Sequence, residues 1–345
     1  MPGCAFGAIA FLHCINYAST LASAESLERH EFEARHMGTT FRVVLYAPDR
    51  PAAETAAKAA FVRVGELDRV MSDYDARSEL MRLCRSESGK PVQVSEDLFE
   101  VLRAAQEVSR KTDGAFDVTV GPLVRLWRDA RRTQQLPDPK ELAAAKSKVG
   151  YKGVVLDQEK RTVTLTVPGM RLDLGGIGKG YAADEALKVL GKRGITRALV
   201  AASGDIAVGD PPPGADAWVV EVAPLGKGMP ARRVKLANAA VSTSGDLEQY
   251  VEIKGVRYSH VLDPKTGLGL VGRRSVTVIA RRGVQSDSLS TAASILPPAK
   301  ALTLIDSIDG AAVYIAVKES DDAEARITAS KRFRHYLAHD VHSDK

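Results

Sequence analysis

Arg171-Leu172-Asp173-Leu174-Gly175-Gly176-Ile177-Gly178-Lys179-Gly180-Tyr181-Ala182-Ala183-Asp184 reads as a strand-like RLDL running into four glycines within six residues, and then into the helical pattern YAADEALKVLGKRG. Glycine costs backbone entropy and offers no side chain to pack. Four of them (Gly175, Gly176, Gly178, Gly180) therefore suggest positive φ angles or close approach of the backbone to a ligand. A helix that starts there points free N–H groups into the loop, an arrangement that favours phosphate. Neither familiar phosphate loop fits. The P-loop would need its first glycine at Asp173 and a hydroxyl residue at Gly180, and G-x-G-x-x-G fails because Tyr181 stands where the third glycine belongs. The turn also reads as a strand-to-helix connection that uses glycine for packing alone.

Working outward, the chain has 345 residues, 45% hydrophobic and 26% charged, enough for a full core in one large domain or two lobes. The net charge of +5 and pI near 9.0 are a mild excess spread along the chain. No basic block is interleaved with aromatics, so nothing points to a nucleic-acid partner. Residues 1–24 contain no Lys, Arg, Asp or Glu and close with Ala22-Ser23-Ala24, which reads as a secretory signal removed after Ala24, leaving a domain over 25–345. His13, Asn16 and Tyr17 interrupt the apolar run, so it makes a poor transmembrane helix. No lipid-attachment box precedes Cys4 or Cys14. After cleavage Cys84 is the one remaining cysteine, and no intramolecular disulfide can form.

Arg42–Tyr46 alternates like a strand, and Pro51–Met71 carries apolar residues at helical spacing (Ala57, Phe61, Val64, Leu67, Met71). Ser72-Asp73-Tyr74-Asp75 is a polar turn. Ser95 caps a helix that runs to Thr112, with Glu96 and Asp97 in its first turn. Asp138–Lys148 is a further helix, and Tyr151–Asp157 with Arg161–Val167 a hairpin. Past the glycine turn short strands dominate until Gln285–Leu296 returns to helix. Strands come in runs with helices between them. The fold class is α+β, with mixed or antiparallel sheets and flanking helices.

His260 ends a strand in Tyr258-Ser259-His260-Val261-Leu262-Asp263-Pro264-Lys265-Thr266-Gly267, just before a turn, and is the strongest single acid or base in the chain. Asp287 and Thr291 stand four apart, a carboxylate and a hydroxyl on one helix face. Oxygen ligands on a rigid first turn suit Mg²⁺, but Ser286 or Asp287 would serve equally as a helix cap. Ser242-Thr243-Ser244-Gly245-Asp246 and Ser203-Gly204-Asp205 either line a site or reverse the chain. Neither is a G-x-S-x-G elbow, and Cys84 has no histidine near it in sequence, so covalent nucleophilic catalysis finds no support.

Taken in order, MGTTF (37–41), MSDYD (71–75), DGAFDVTVGPL (113–123), LDLGGIGKGYAAD (172–184), VSTSGD (241–246), YSHVLDPKTG (258–267) and SDSLSTAAS (286–294) resemble the motif series of the ApbE family, the FAD:protein FMN transferases. The likeness spans about residues 36–317. It implies a two-lobed single domain of T-fold-like type in an exported enzyme. Such an enzyme binds FAD with Mg²⁺ and transfers FMN to a threonine or serine of a partner flavoprotein, releasing AMP. By motif position, Met37, Tyr74 and Ala115-Phe116-Asp117 would contact the flavin or its chain, and Gly175, Tyr181 and Leu262 would also line the FAD site. The carbonyl of Gly178 with Asp287 and Thr291 would hold the metal, and His260 would sit beside the reacting phosphate. Lys179 can help neutralise phosphate charge, and His260 can take the proton of the incoming hydroxyl. Many family members are lipoproteins; the missing lipid box implies a soluble periplasmic form, with an exported or membrane-associated acceptor. Ser290 stands where some members carry an acidic residue beside the metal threonine. Two other readings stay open: a metal-dependent FAD pyrophosphatase using water in place of the protein hydroxyl, and a non-catalytic exported flavin carrier.

Overall fold

The computed structural model describes residues 26–222, 225, 231–245, 249–319 and 323–338; the signal-peptide reading, Cys4, Cys14 and Asp246 lie outside them. Strands β1 (Glu28–His36) and β2 (Thr39–Ala47) form a hairpin whose central turn residues Met37 and Gly38 have φ of 49° and 73°, the left-handed pair that a two-residue hairpin demands. Helix α1 (Arg50–Met71) starts at Asp49, whose carboxylate accepts from the Ala52 amide at 2.8 Å, and α2 (Glu79–Cys84) starts at Ser78. After β3 (Val92–Gln93), helix α3 (Glu96–Lys111) starts at Ser95, with acids in its first turn and Arg110 and Lys111 in its last, matching its dipole.

Next come α4 (Gly121–Thr133), α5 (Pro139–Lys146) and the hairpin β4 (Val154–Asp157) with β5 (Thr162–Leu165). Helix α6 (Gly178–Gly191) leads into β6 (Ala198–Ala202), β7 (Asp205–Val208), β8 (Trp218–Val222), β9 (Arg232–Leu236) and β10 (Ala239–Gly245). The chain continues with β11 (Tyr250–Ile253), β12 (Val256–Leu262), β13 (Gly269–Val271) and β14 (Arg273–Ala280). Helices α7 (Gly283–Ile295) and α8 (Pro298–Asp306), strands β15 (Ala312–Lys318) and β16 (Arg326–Ala329) and the short α9 (Phe333–Tyr336) complete it.

The α+β architecture is as the sequence led us to expect. Eight strands form one sheet in the order β1-β2-β6-β7-β10-β14-β15-β16, with every neighbouring pair antiparallel. One face packs the main core against α1, α3, α6 and α7, while the β8–β9 hairpin and α9 cover the other. A smaller core joins α4 and α5 to the three-stranded β11-β12-β13 sheet through Trp127, Val251 and Leu262.

Two local expectations are corrected. Residues 171–174 are not a strand: one isolated bridge joins Arg171 to Val120. The Leu172 amide donates to Cys84 Sγ at 3.3 Å, and the Asp173 amide to the Val118 carbonyl at 2.8 Å, so contact with residues 118–120 stops at one bridge and does not extend into a ladder. None of the four loop glycines has a positive φ. Gly180 is required by packing: a Cβ there would lie 2.1 Å from the Gly283 carbonyl oxygen, and a Cβ on Gly283 would lie 2.4 Å from that of Gly180. Helices α6 and α7 cross backbone to backbone at this pair.

Each helix also caps the other. Asp184, in α6, accepts from the Gly283 and Val284 amides that open α7, at 2.6 and 3.1 Å; Asp287, in α7, accepts from the Gly180 amide in the first turn of α6 at 3.0 Å. Burial raises the Asp184 carboxyl above the usual carboxylate range, and the two amides oppose that shift. Neither helix has a side-chain cap from the residue preceding it, so these carboxylates satisfy the orphan donors. Replacing Asp184 by alanine removes one such cap, which is worth about 0.5–2 kcal/mol. We expect a thermal midpoint lowered by several degrees, measured by circular dichroism, with asparagine recovering part of the loss.

Candidate active site

The start of α6 forms one wall of the site. The Gly175 amide donates to Asp173 Oδ1 at 2.8 Å, and Leu174 O accepts from the Ile177 and Gly178 amides, so the loop is internally bonded before the helix begins. The expectation of free amides offered to phosphate is corrected here. Asp287, 3% exposed, takes the Gly180 amide and also draws on that of Lys179. The sequence could not show this, because the capping carboxylate comes from a helix about a hundred residues later.

Asp287 and Thr291 do share a face of α7, as their spacing predicts, and the loop closes on them. A Cβ on Gly176 would lie 2.9 Å from Thr291 Oγ1. Lys179 folds back over the loop: its ammonium lies 3.0 Å from Asp205 Oδ2 and 3.1 Å from the Gly175 carbonyl oxygen. Asp205 opens β7 and is buried. Burial, with the nearby charge of Asp205, pushes the Asp287 carboxyl up to about 7. Burial works against the Lys179 ammonium, yet the carboxylates of Asp205, Asp287 and Asp173 overcome it and hold the lysine protonated well above its usual range.

Tyr74 is 79% exposed and joins the loop through Arg128, whose guanidinium stands 4.0 Å over the tyrosine ring. The same guanidinium reaches Asp73 at 2.6 Å and Asp173 at 3.5 Å. Burial, then the charge of Asp73, raises the Asp173 carboxyl. Gly175, Gly178, Lys179, Asp287 and Thr291 therefore meet at one locus with Tyr74 at its edge.

Other residues singled out by sequence are engaged elsewhere. The Tyr181 hydroxyl donates to Asp97 at 3.0 Å, and burial, with the charges of Glu185 and Asp97, raises its pKa. Ala115 and Phe116 are buried. Asp117 accepts from the Thr119 amide and hydroxyl at 2.8 and 2.6 Å and from the Tyr151 amide at 2.8 Å, tying two loops together; burial raises its carboxyl against those bonds. The Met37 amide donates to Asp68 at 2.8 Å.

His260 and Leu262 lie on β12, which packs against α7 and α4. Leu262 is buried in the small core. His260 Nδ1 is 3.0 Å from the Gln249 carbonyl oxygen. A carbonyl only accepts, so in the neutral ring Nδ1 carries the proton and Nε2 keeps a lone pair. The turn after it is clamped by Trp127 Nε1, which donates to the Gly267 carbonyl at 2.8 Å, and by Lys265, 3.2 Å from Asp113.

Among the described residues, no three His, Cys, Asp or Glu side chains gather as a metal cluster. The donors at the locus are all oxygen: Asp287, Asp205, the Thr291 hydroxyl and the carbonyls of the glycine loop. That set fits a hard cation that retains waters and takes few protein ligands. Sequence reasoning missed Asp73, Arg128 and Asp173 as a linked group, and had Asp205 only as part of a turn of undecided role. Arg128 had no local signal, lying on a helix the sequence reading did not identify.

A family profile described as "ApbE family" matches residues 37–315. A FAD:protein FMN transferase of Klebsiella pneumoniae (strain 342) is 32% identical over 96% of this chain and 95% of its own length, and one of Escherichia coli (strain K12) is 31% identical over 92% and 91%. Among solved structures, the ApbE protein of Thermotoga maritima superposes with a TM-score of 0.81 at 31% identity, covering 90% of this chain and all of that one. The apo form of the flavinyl transferase ApbE from Pseudomonas stutzeri does so with 0.79 at 30% identity, covering 92% and 99%.

Proposed function

This chain belongs to the ApbE family, and on that premise we propose that it is a transferase that moves the FMN half of FAD onto a threonine or serine hydroxyl of a partner flavoprotein, with Mg²⁺ held at the glycine loop and AMP released. The observation that carries the reading is the closure of the glycine loop on Asp287 and Thr291, with Lys179 folded over it. The transferase names of its relatives support the same reading.

The acceptor oxygen attacks the phosphorus on the flavin side of the pyrophosphate. The bond from that phosphorus to the bridging oxygen breaks, and AMP leaves with the oxygen. His260, with Nδ1 committed to Gln249, takes the hydroxyl proton on Nε2. When bound at Asp287, Thr291 and the Gly178 carbonyl, Mg²⁺ supplies neutralisation of the pyrophosphate oxygens. Lys179 adds positive charge on the same side, and Tyr74 with its stacked Arg128 offers an exposed aromatic platform for a ring of the substrate. The reading of residues 1–24 supports a soluble periplasmic enzyme acting on an exported or membrane-associated acceptor. No described helix is long and apolar enough to cross a membrane.

The test incubates the protein with FAD and Mg²⁺, with and without an acceptor carrying a threonine-containing flavinylation segment. We expect the acceptor to gain the mass of FMN less water, AMP to appear alongside it, and EDTA to stop both. Equal AMP without acceptor would make the enzyme a pyrophosphatase. Asp287→Asn is expected to abolish AMP release while flavin fluorescence still reports FAD binding; full cleavage by that variant would remove Asp287 from the site.

A further inference from the structure

The ammonium of Lys179 occupies the kind of place a small hard cation would take. It touches a buried carboxylate, Asp205, and a backbone carbonyl of the glycine loop, and it feels the charges of Asp287 and Asp173. Asp205 is only 6% exposed and Asp287 only 3%, so neither carboxylate relies on bulk water for its compensation. Here the positive charge that compensates them comes from Lys179, with the Gly180 amide donating to Asp287 as well.

We propose that Lys179 is the resident counter-ion of this site, held on Asp205 until the anionic pyrophosphate of FAD draws it away. This inference rests on the reading of the site as one for FAD and a divalent cation. Two effects follow from one charge. While the ammonium sits among the carboxylates it opposes entry of a divalent cation beside Asp287, because like charges a few ångströms apart in a poorly solvated site repel strongly. The same ammonium attracts the substrate's phosphates. Asp205 is then a positioning residue: it parks the lysine and supplies part of the negative field that the cation meets once the lysine has moved. Flavin and metal thereby favour each other's binding, and by linkage the coupling is reciprocal.

An ion pair that merely braces the fold predicts something different. Its loss would leave both affinities alone, or weaken both by loosening α6 against β7. The counter-ion predicts shifts of opposite sign. The experiment measures Mn²⁺ binding to the flavin-free protein by the electron paramagnetic resonance of free Mn²⁺, and FAD binding in EDTA by flavin fluorescence. In Lys179→Met, Mn²⁺ is expected to bind about tenfold tighter and FAD about tenfold weaker. Lys179→Arg, which keeps the charge, should stay near wild type in both. No change in Lys179→Met, or a change of the same sign in both affinities, overturns the proposal. Should that variant fail to fold, Asp205→Asn removes the carboxylate paired with the ammonium and is expected to weaken Mn²⁺ binding about tenfold; an unchanged affinity again overturns it. Absence of Mn²⁺ binding by the wild-type protein both with and without FAD would overturn the metal reading and this inference together, whereas binding that is indifferent to Lys179 overturns the inference alone.

Discussion

We expect His260→Gln to slow FMN transfer by about 10²–10⁴-fold while FAD still binds, because on the proposed reading the substitution removes the general base. The 3.0 Å contact between His260 Nδ1 and the Gln249 carbonyl puts the proton of the neutral ring on Nδ1, so the lone pair that a general base needs is on Nε2. Glutamine can keep a donor toward Gln249 but offers no nitrogen that takes up a proton. The loss belongs in the chemical step, so single-turnover kinetics at saturating FAD and acceptor should carry all of it, and the rate limb attributable to a histidine should vanish from the pH profile. A loss smaller than about threefold, or a profile that keeps that limb, would assign the base elsewhere.

Gly180→Val is the second large effect, and it falls on stability. The added Cβ would stand 2.1 Å from the Gly283 carbonyl oxygen, 2.5 Å from its carbon and 2.8 Å from Asp287 Cβ. Two of these three atoms are backbone, so no rotamer relieves the clash. The helices must separate, and both reciprocal caps lengthen as they do. Overpacking costs about 1–3 kcal/mol and each lost cap about 0.5–2, against a total of about 5–15 for a folded domain. We expect a melting midpoint lowered by about 10 °C or more, or no soluble protein. Gly191→Ala is the control: at the last position of the same helix an added Cβ meets nothing within 4 Å, and its midpoint should stay within about 2 °C. Equal melts for the two variants would contradict the close crossing.

The parts of this protein legible in sequence are those in which nearby residues determine the outcome. Asp49, Ser95 and Asp138 cap their own helices, so the boundaries of α1, α3 and α5 follow from spacing and capping chemistry. Asp287 and Thr291 declare a shared face by being four apart. Strand β1 escaped because its sequence, ERHEFEARH, shows only Phe32 and Ala34 as apolar markers on an edge strand. Helix α4 escaped because GPLVRLWRDARRT opens with a glycine and a proline that read as a break, whereas Pro122 sits in the first turn, where its missing N–H costs nothing. The site's remaining members were hidden for another reason: Asp205 reaches Lys179, and Arg128 reaches Asp73 and Asp173, across the tertiary fold. Gly176 and Gly180 misled in the same way, since they make room for a partner helix about a hundred residues downstream.

That separation also sets the order in which the molecule can assemble. Strand β2 ends at Ala47, yet its second neighbour in the sheet, β6, begins at Ala198, and the first-turn Gly180 amide of α6 has no side-chain acceptor until Asp287 has been made. A nascent chain of 250 residues thus holds the glycine loop, Lys179 and Asp205 without the helix that closes over them. Contacts this distant in sequence make for slow, late folding. The complete locus appears only near the end of synthesis, and a chain cut before Asp287 lacks both of the residues that α7 brings to it.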